Sequence, residues 1–313
     1  MATRTTLLGL AKPDYSDVQD VGVINGNMEI IDNEMGKRSR ADDLLDNNYF
    51  PNAINQLNAN TTTIWGQCLD RWIARITGIG ISIEEDGLHI SSAETSNVFI
   101  YQRIKIPSAK MLGKTYTVAI CDGSGNIACK SVTLPTAEPT TWITYATVST
   151  GDIFASIFHT GSGDHGFCVS VGREDNRAEG VALWVKLYPG SYNVNNLPVH
   201  SQKEPSTEYL ECVRHFWKSP PNGAIQGYGI VSATTTNALI AVVLPVPMRV
   251  TPSINVITPG QIRAGGTAQN VSELSVSRMD NNVVMLTAKC NGNLPANQTA
   301  TLVNASFELN ARM

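Results

Sequence analysis

From residue 47 to about 200 the chain alternates apolar and polar positions in short runs, the period-two pattern of half-buried β-strands. "RWIARIT", "ISIEEDGLHIS", "NVFIYQRIKI", "TYTVAICDGSGNIACKSVTL", "DIFASIFHT", "GFCVSVG" and "GVALWVKLY" are the clearest. "EDG" at 85–87 and "DGSGN" at 122–126 supply turn residues inside two of these runs and make hairpins of them. Short strands without intervening helices predict an antiparallel β-sandwich. In "RWIARI", Trp72, Ala74 and Ile76 share one face and Arg71 and Arg75 the other, which places Trp72 in a core. In "VALWVKLYPG", Val181, Leu183, Val185 and Leu187 point one way, and Trp184, Lys186 and Tyr188 the other. A second strand set follows after 219, with "ALIAVVLPVPM", "SINVITPG", "VVMLTAKC" and "ATLVNASFELNA" among its runs.

Two stretches follow a helical period instead. Near the N-terminus Val21, Ile24, Met28, Ile31 and Met35 are spaced 3, 4, 3, 4, an a/d seam of barely two heptads weakened by Gly22 and Gly26. It reads either as one amphipathic helix docked on another element or as a short homo-oligomeric bundle. "EYLECVRHFWKS" (208–219) sets Tyr209, Cys212, Val213, Phe216 and Trp217 at helical spacing, with acids first and bases last, as a helix dipole prefers. A helix over 207–218, capped by Ser206 or Thr207 and stopped by Pro220-Pro221, follows from this. The resulting fold class is mainly β, in three parts: 1–46 with a short helix, 47–196 a β-sandwich, and 197–313 a helix plus a C-terminal β-sandwich.

Charge narrows the function classes. The net charge of −4 sits in residues 1–46, which hold 9 acids and 5 bases, whereas 219–313 hold only 8 charged residues beside 11 Asn. No dense Lys/Arg face exists for a phosphate backbone, which argues against a nucleic-acid partner. The longest apolar run, 238–248, has 11 residues and two prolines, too short for a membrane span of about 20 residues. No signal peptide is expected, and the six widely spaced cysteines read as reduced thiols.

Candidate chemistry is sparse. "GSGDHG" (161–166) has the letters of a dinucleotide-binding turn, but a strand rather than a helix follows it. His159, Asp164 and His165 lie close in sequence without a recognised metal spacing, so no metal or other cofactor is expected. Cys121 and Cys129 flank a hairpin turn at a spacing unlike that of zinc sites. Neither a G-x-S-x-G elbow nor an H-E-x-x-H motif occurs, so an enzyme is not expected. Sugars are held by aromatic faces and by amide and carboxylate groups, which makes Trp184, Lys186 and Tyr188 the candidate ligand-binding platform. The competing reading packs these residues against a neighbouring domain or subunit.

Three stretches together resemble phage tail-fibre and receptor-binding proteins, particularly those of phages and prophages of low-GC Gram-positive bacteria. "LGLAKPDYSDVQDVGVINGNMEIID" is similar to a virion-attachment segment. "DDLLDNNYFPNAINQ…LDRWIARITGIGISIEEDGLHI" is similar to the start of a jelly roll like those of carbohydrate-binding modules. "ALWVKLYPGS…EYLECVRHFWKS" with "ATTTNALIAVVLPVPMRVTPSI" resembles the last strand of that module and the tip that follows. The family pattern Cys-Gln-Arg-Tyr-Phe stands here as Cys212, Val213, Arg214, His215 and Phe216, and Leu-Glu-Leu-Gly as Leu187, Tyr188, Pro189 and Gly190.

The resemblance implies a homotrimeric fibre bound to tail or baseplate proteins through residues 1–46 and reading a bacterial surface glycan for host adsorption. It would be assembled in the host cytoplasm into a virion tail, without membrane insertion. It also implies that the 207–218 helices gather at the threefold axis through Leu210, Val213 and Trp217, beside the seam of Val21, Ile24, Met28, Ile31 and Met35. A glycan-cleaving tail spike and a structural spacer carrying another adhesin are the alternatives.

Overall fold

A computed structural model describes residues 3–4, 11–12, 26–28, 30–31, 43–56, 61–62, 66–74, 79–93, 98–104, 106–161, 166–198, 203–220 and 224–311. Near the N-terminus, β1 (Thr3–Arg4) pairs with β2 (Ala11–Lys12), and residues 26–28 and 30–31 are helical. Of the expected seam, Met28 is largely exposed and Ile31 half-buried; Val21, Ile24 and Met35 lie outside the described residues.

The first β domain contains β3 (Thr61–Thr62), β4 (Gly66–Leu69), β5 (Trp72–Ala74), β6 (Ile79–Glu84), β7 (Gly87–Ser91) and β8 (Val98–Arg103). It continues with β9 (Thr115–Asp122), β10 (Ile127–Thr133), β11 (Ile143–Ser149), β12 (Ile153–His159), β13 (Phe167–Arg173) and β14 (Glu179–Pro189). Two antiparallel six-stranded sheets result, in the orders β10-β9-β14-β7-β6-β3 and β11-β12-β13-β8-β5-β4. The expected hairpins form at both turn signals, with Glu84 opposite Gly87 and Cys121 opposite Ile127. Inward residues of both sheets, including Ile90, Val118, Leu187, Ile100, Ile157 and Val171, make one core. Trp72 lies fully inside it, against Phe50 at 5.6 Å, with its Nε1–H donating to the Asn47 carbonyl at 2.8 Å.

The alternation read for β14 holds over only part of the strand. Its register against β9 skips Leu183, so Ala182 pairs with Asp122 and Trp184 with Cys121. This bulge shifts the phase by one residue. Ala182, Val185 and Leu187 face the core as a result, whereas Val181 and Leu183 lie outside the main core cluster.

The predicted helix is shorter than its hydrophobic spacing implies. It runs Pro205–Val213, begun by Pro205 after Glu204 rather than capped by Ser206 or Thr207. Proline suits that first position because its missing N–H has no partner there in any helix. After Arg214 the chain extends, and β15 (Phe216–Lys218) pairs with β23 (Ser306–Asn310), which also pairs with β18 (Ser253–Thr258). Phe216 and Trp217 are thus both buried from a strand. Strand partners some ninety positions away override the local helical spacing.

The remaining tip strands are β16 (Ile225–Val231), β17 (Asn237–Val243), β19 (Gln261–Ala264), β20 (Thr267–Asp280), β21 (Val283–Cys290) and β22 (Thr299–Val303). They are antiparallel, as expected after 219, but in place of the expected C-terminal sandwich they close into a barrel in the order β16-β17-β21-β20-β19-β22. Closure presses β16 onto β17, where a Cβ on Gly229 would lie 1.8 Å from the Leu239 carbonyl oxygen and one on Gly227 2.5 Å from that of Ala241. Only glycine permits so close an approach. The barrel and the β15-β23-β18 sheet share a core that includes Ile240, Leu286, Leu302 and Phe307.

Candidate functional site at the domain junction

Trp184, Lys186 and Tyr188 lie on the outer side of their sheet, as strand alternation predicts. They are nonetheless only 6%, 4% and 4% exposed, so they form no open platform. Two segments of the same chain enclose them. Gly190, at φ 107°, turns the chain back over β9 and β10, where the Tyr192 N–H donates to Thr117 Oγ1 at 3.0 Å and Ser131 Oγ donates to the Tyr192 carbonyl at 3.0 Å. The Tyr192 ring meets Tyr188 edge-on at 6.0 Å, and Leu197 packs on the cluster containing Trp184 and Cys121. Residues 43–49 run beside β14 where β7 stops pairing with it. There the Leu44 N–H donates to the Leu187 carbonyl (3.1 Å) and the Val185 N–H to that of Asn48 (3.2 Å). Burial, helped by the charge of Asp43, pushes the Tyr188 hydroxyl well above the ordinary tyrosine pKa. It is a packing residue.

Lys186 keeps a link to open space. Its Nζ sits 2.8 Å from Asp43 Oδ2 and 3.4 Å from Asn48 Oδ1, and its side chain lines a shallow depression with room for about one water molecule. Asn47, Asn48, Tyr49, Asn52, Lys203, Pro205 and Glu208 complete the walls. This depression lies where the Pro205–Val213 helix meets the first domain.

The contact is ionic and specific. Asn47 adopts a left-handed backbone (φ 51°), which turns its amide group inward. Its Nδ2 donates to the carbonyls of Ile54 and Asp70, both at 2.8 Å, and its Oδ1 accepts from the Ile54 N–H at 2.6 Å. The Asn47 backbone N–H donates to Glu208 Oε1 of the helix. Beside it, Lys203 Nζ lies 2.7 Å from Glu211, 3.1 Å from Asp46 and 3.9 Å from Glu208. Asp46 also holds Arg71 at 3.1 Å. Burial opposes the charge on Lys203, yet Asp46, Glu211 and Glu208 outweigh it and hold the ammonium well above the ordinary lysine pKa. Burial raises Glu208 despite Lys203 beside it. The carboxylate oxygens of Asp46, Glu208 and Glu211 approach one another closely enough for a metal, but Lys203 supplies the cation among them.

A second potential ligand group is Glu84, Asp86 and His89 at the β6–β7 hairpin. There the His89 ring is engaged on both sides, Nε2 with Asp86 at 2.8 Å and Nδ1 with Glu179 at 3.0 Å. Of the sequence trio, Asp164 and His165 lie outside the described residues. His159 is buried, its Nδ1 accepting from the Gly161 N–H at 3.1 Å and its Nε2 3.5 Å from Glu138. Cys121 and Cys129 share a small cluster as free thiols, and burial together with Asp122 raises Cys121 to about 11.

The expected threefold contact also changes. Leu210 is exposed, but Val213 and Trp217 belong to the tip's own core, Trp217 meeting Phe307 at 5.9 Å. The helix joins the two domains instead, because the side that carries Glu208 is taken up by residues 46–48. Sequence reasoning missed the junction residues Asn47, Asn48, Tyr49 and Asn52. The available signal was the "DNNYFPN" run, dense in short amides just before the first strands. The chain matches no known protein-family model, no curated protein and no solved structure.

Proposed function

We propose that this chain is a receptor-binding component of a phage tail fibre, with a jelly-roll first domain, and that it binds a bacterial surface glycan on the surface around the junction depression. The observation that carries this reading is the set of groups around that depression that reach the surface, Asn52 and Pro205 exposed and Tyr49 and Lys203 half-buried. The Asn52 amide can both donate to and accept from sugar hydroxyls, and Tyr49 and Pro205 offer partly apolar surface beside it. Ion pairs hold the site's own charges in place, so ligand binding leaves its geometry intact. The sequence resemblance supplies the class, and with it a homotrimer attached to the tail through residues 1–46. Three modest sites per fibre give avidity without tight single-site binding.

The test is adsorption of labelled full-length protein to a panel of bacterial strains and to their purified surface polysaccharides, alongside an Asn52→Trp variant. Asn52 is exposed at the edge of the depression, so the larger side chain covers the surrounding surface without disturbing a core. The expected result is binding to one strain and its polysaccharide, weakened about tenfold or more in the variant, or about 1.4 kcal/mol. Equal binding by both proteins moves the site elsewhere. Binding to no strain favours the spacer, and shortening of the polysaccharide favours the glycan-cleaving spike.

A further inference from the structure

One face of the tip barrel carries a run of exposed apolar residues. The outward positions of β16 are Ile225, Tyr228 and Ile230, exposed to 51%, 60% and 49%, and Val243 at the end of β17 is exposed to 68%. Strand register sets them side by side, with Tyr228 opposite Ala241, Ile230 opposite Leu239, Ala241 opposite Met285 and Val243 opposite Val283. On the other flank Tyr228 faces Thr301 and Ile230 faces Thr299. Charge returns only at the borders, in the Arg278–Asp280 pair and Glu273 on β20, Lys289 at the end of β21, and Arg263 on β19.

This is an apolar centre inside a charged rim, the anatomy of a protein–protein interface. At about 4.8 Å between strands and about 3.3 Å per residue, the field from β22 to β21 covers on the order of 300–400 Å². That is the scale of the functional patch a monomer carries. With its rim it approaches the roughly 800 Å² per partner of a stable contact.

We infer that this β16–β17–β21 face is the surface through which copies of the same chain associate. Three copies of a face free of charged side chains can gather around a threefold axis without like-charge repulsion, whereas a charged partner finds nothing there to steer or orient it. The inference rests on the homotrimer reading above and deepens it. The shared surface moves from the junction helix, whose Val213 and Trp217 are spent on the tip's own core, to the barrel wall.

The measurement is the solution mass of the full chain at micromolar concentration, by light scattering behind size exclusion, for three proteins. These are the wild type, Tyr228→Glu/Ile230→Glu, and Val243→Lys as a second, milder variant on the same face. The expected result is three chains for the wild type and one chain of 33.8 kDa for both variants, with unchanged circular dichroism and thermal transitions. Should Tyr228→Glu/Ile230→Glu misfold, Val243→Lys decides alone. A wild-type trimer that both variants retain overturns the surface and leaves the trimeric fibre standing. A monomeric wild type overturns both.

Discussion

The outer side of β14 and the outer side of β16 and β17 arise from the same strand alternation and end in opposite states. On β14, Trp184, Lys186 and Tyr188 are almost wholly enclosed; on β16, Tyr228 and Ile230 are about half exposed or more. The difference is not in the strands. The first face borders segments 43–49 and 190–197, which return to it and are pinned by Asp43, Asn48 and Tyr192. Among the described residues no segment is pinned over the second. A period of two therefore tells which side a residue faces, while remote chain decides whether that side meets water.

Truncation at matched positions sharpens the contrast most. Trp184→Ala is expected to cost about 3–5 kcal/mol in denaturant unfolding, the usual range for emptying a buried aromatic site. Tyr228→Ala, measured on monomeric protein, should stay within about 0.5 kcal/mol. Similar losses at the two positions would break the comparison.

The covering segment is probed through its ion pair. Asp43→Ala removes the carboxylate 2.8 Å from Lys186 Nζ, where both side chains are largely buried. Stranding the ammonium in that site should cost about 3 kcal/mol. Asp43→Ala/Lys186→Met should recover part of the loss, because no charge then remains buried, although the Leu45 and Leu187 N–H groups still lack the carboxylate they donate to. A double-mutant cycle reads the coupling, and additive losses would show that the pair does not hold the segment.

These contrasts mark how far the sequence carries. The sandwich strands, the two hairpins and the core position of Trp72 were all legible, because period and turn chemistry are local properties. The β14 phase was half legible, since the Leu183 bulge depends on pairing with β9. The end of the junction helix was not legible, since Phe216 and Trp217 answer to β23 at the far end of the chain. Of the junction depression, only Lys186 was named from sequence, as part of an exposed platform that the structure closes. Its other walls meet only after residues 47–52 and 203–208 fold together, and no spacing announces that.

Acid separates buried from exposed groups more gently. His215 is half-buried near Arg71, and desolvation with that positive charge lowers its pKa to about 3. Between pH 6.5, its ordinary value, and about 3 the unfolded chain takes up a proton that the folded chain refuses, so stability falls as pH falls. His215→Gln should flatten the slope of unfolding free energy against pH between 6.5 and 5, a window above most carboxylate titration. An unchanged slope would remove His215 from the account.

His89 sits on the same outer face as Trp184, but at the end where β6 and β7 leave it uncovered, and its shift has the opposite sign. Partial burial works against its charge, yet the Asp86 and Glu179 hydrogen bonds and the nearby carboxylates raise its pKa above the ordinary histidine value. The stabilisation is therefore fully present below about pH 6.5 and is lost as pH rises through the higher folded value. Because Asp86 and Glu179 are both more than half exposed, water and salt screen the cluster and keep its contribution small. His89→Gln should lower the melting temperature at pH 6, by less in 0.5 M salt, and leave it nearly unchanged at pH 9. A loss that is equal at both pH values would mean that His89 acts through packing, and that the uncovered end of this face is held in the same way as the covered one.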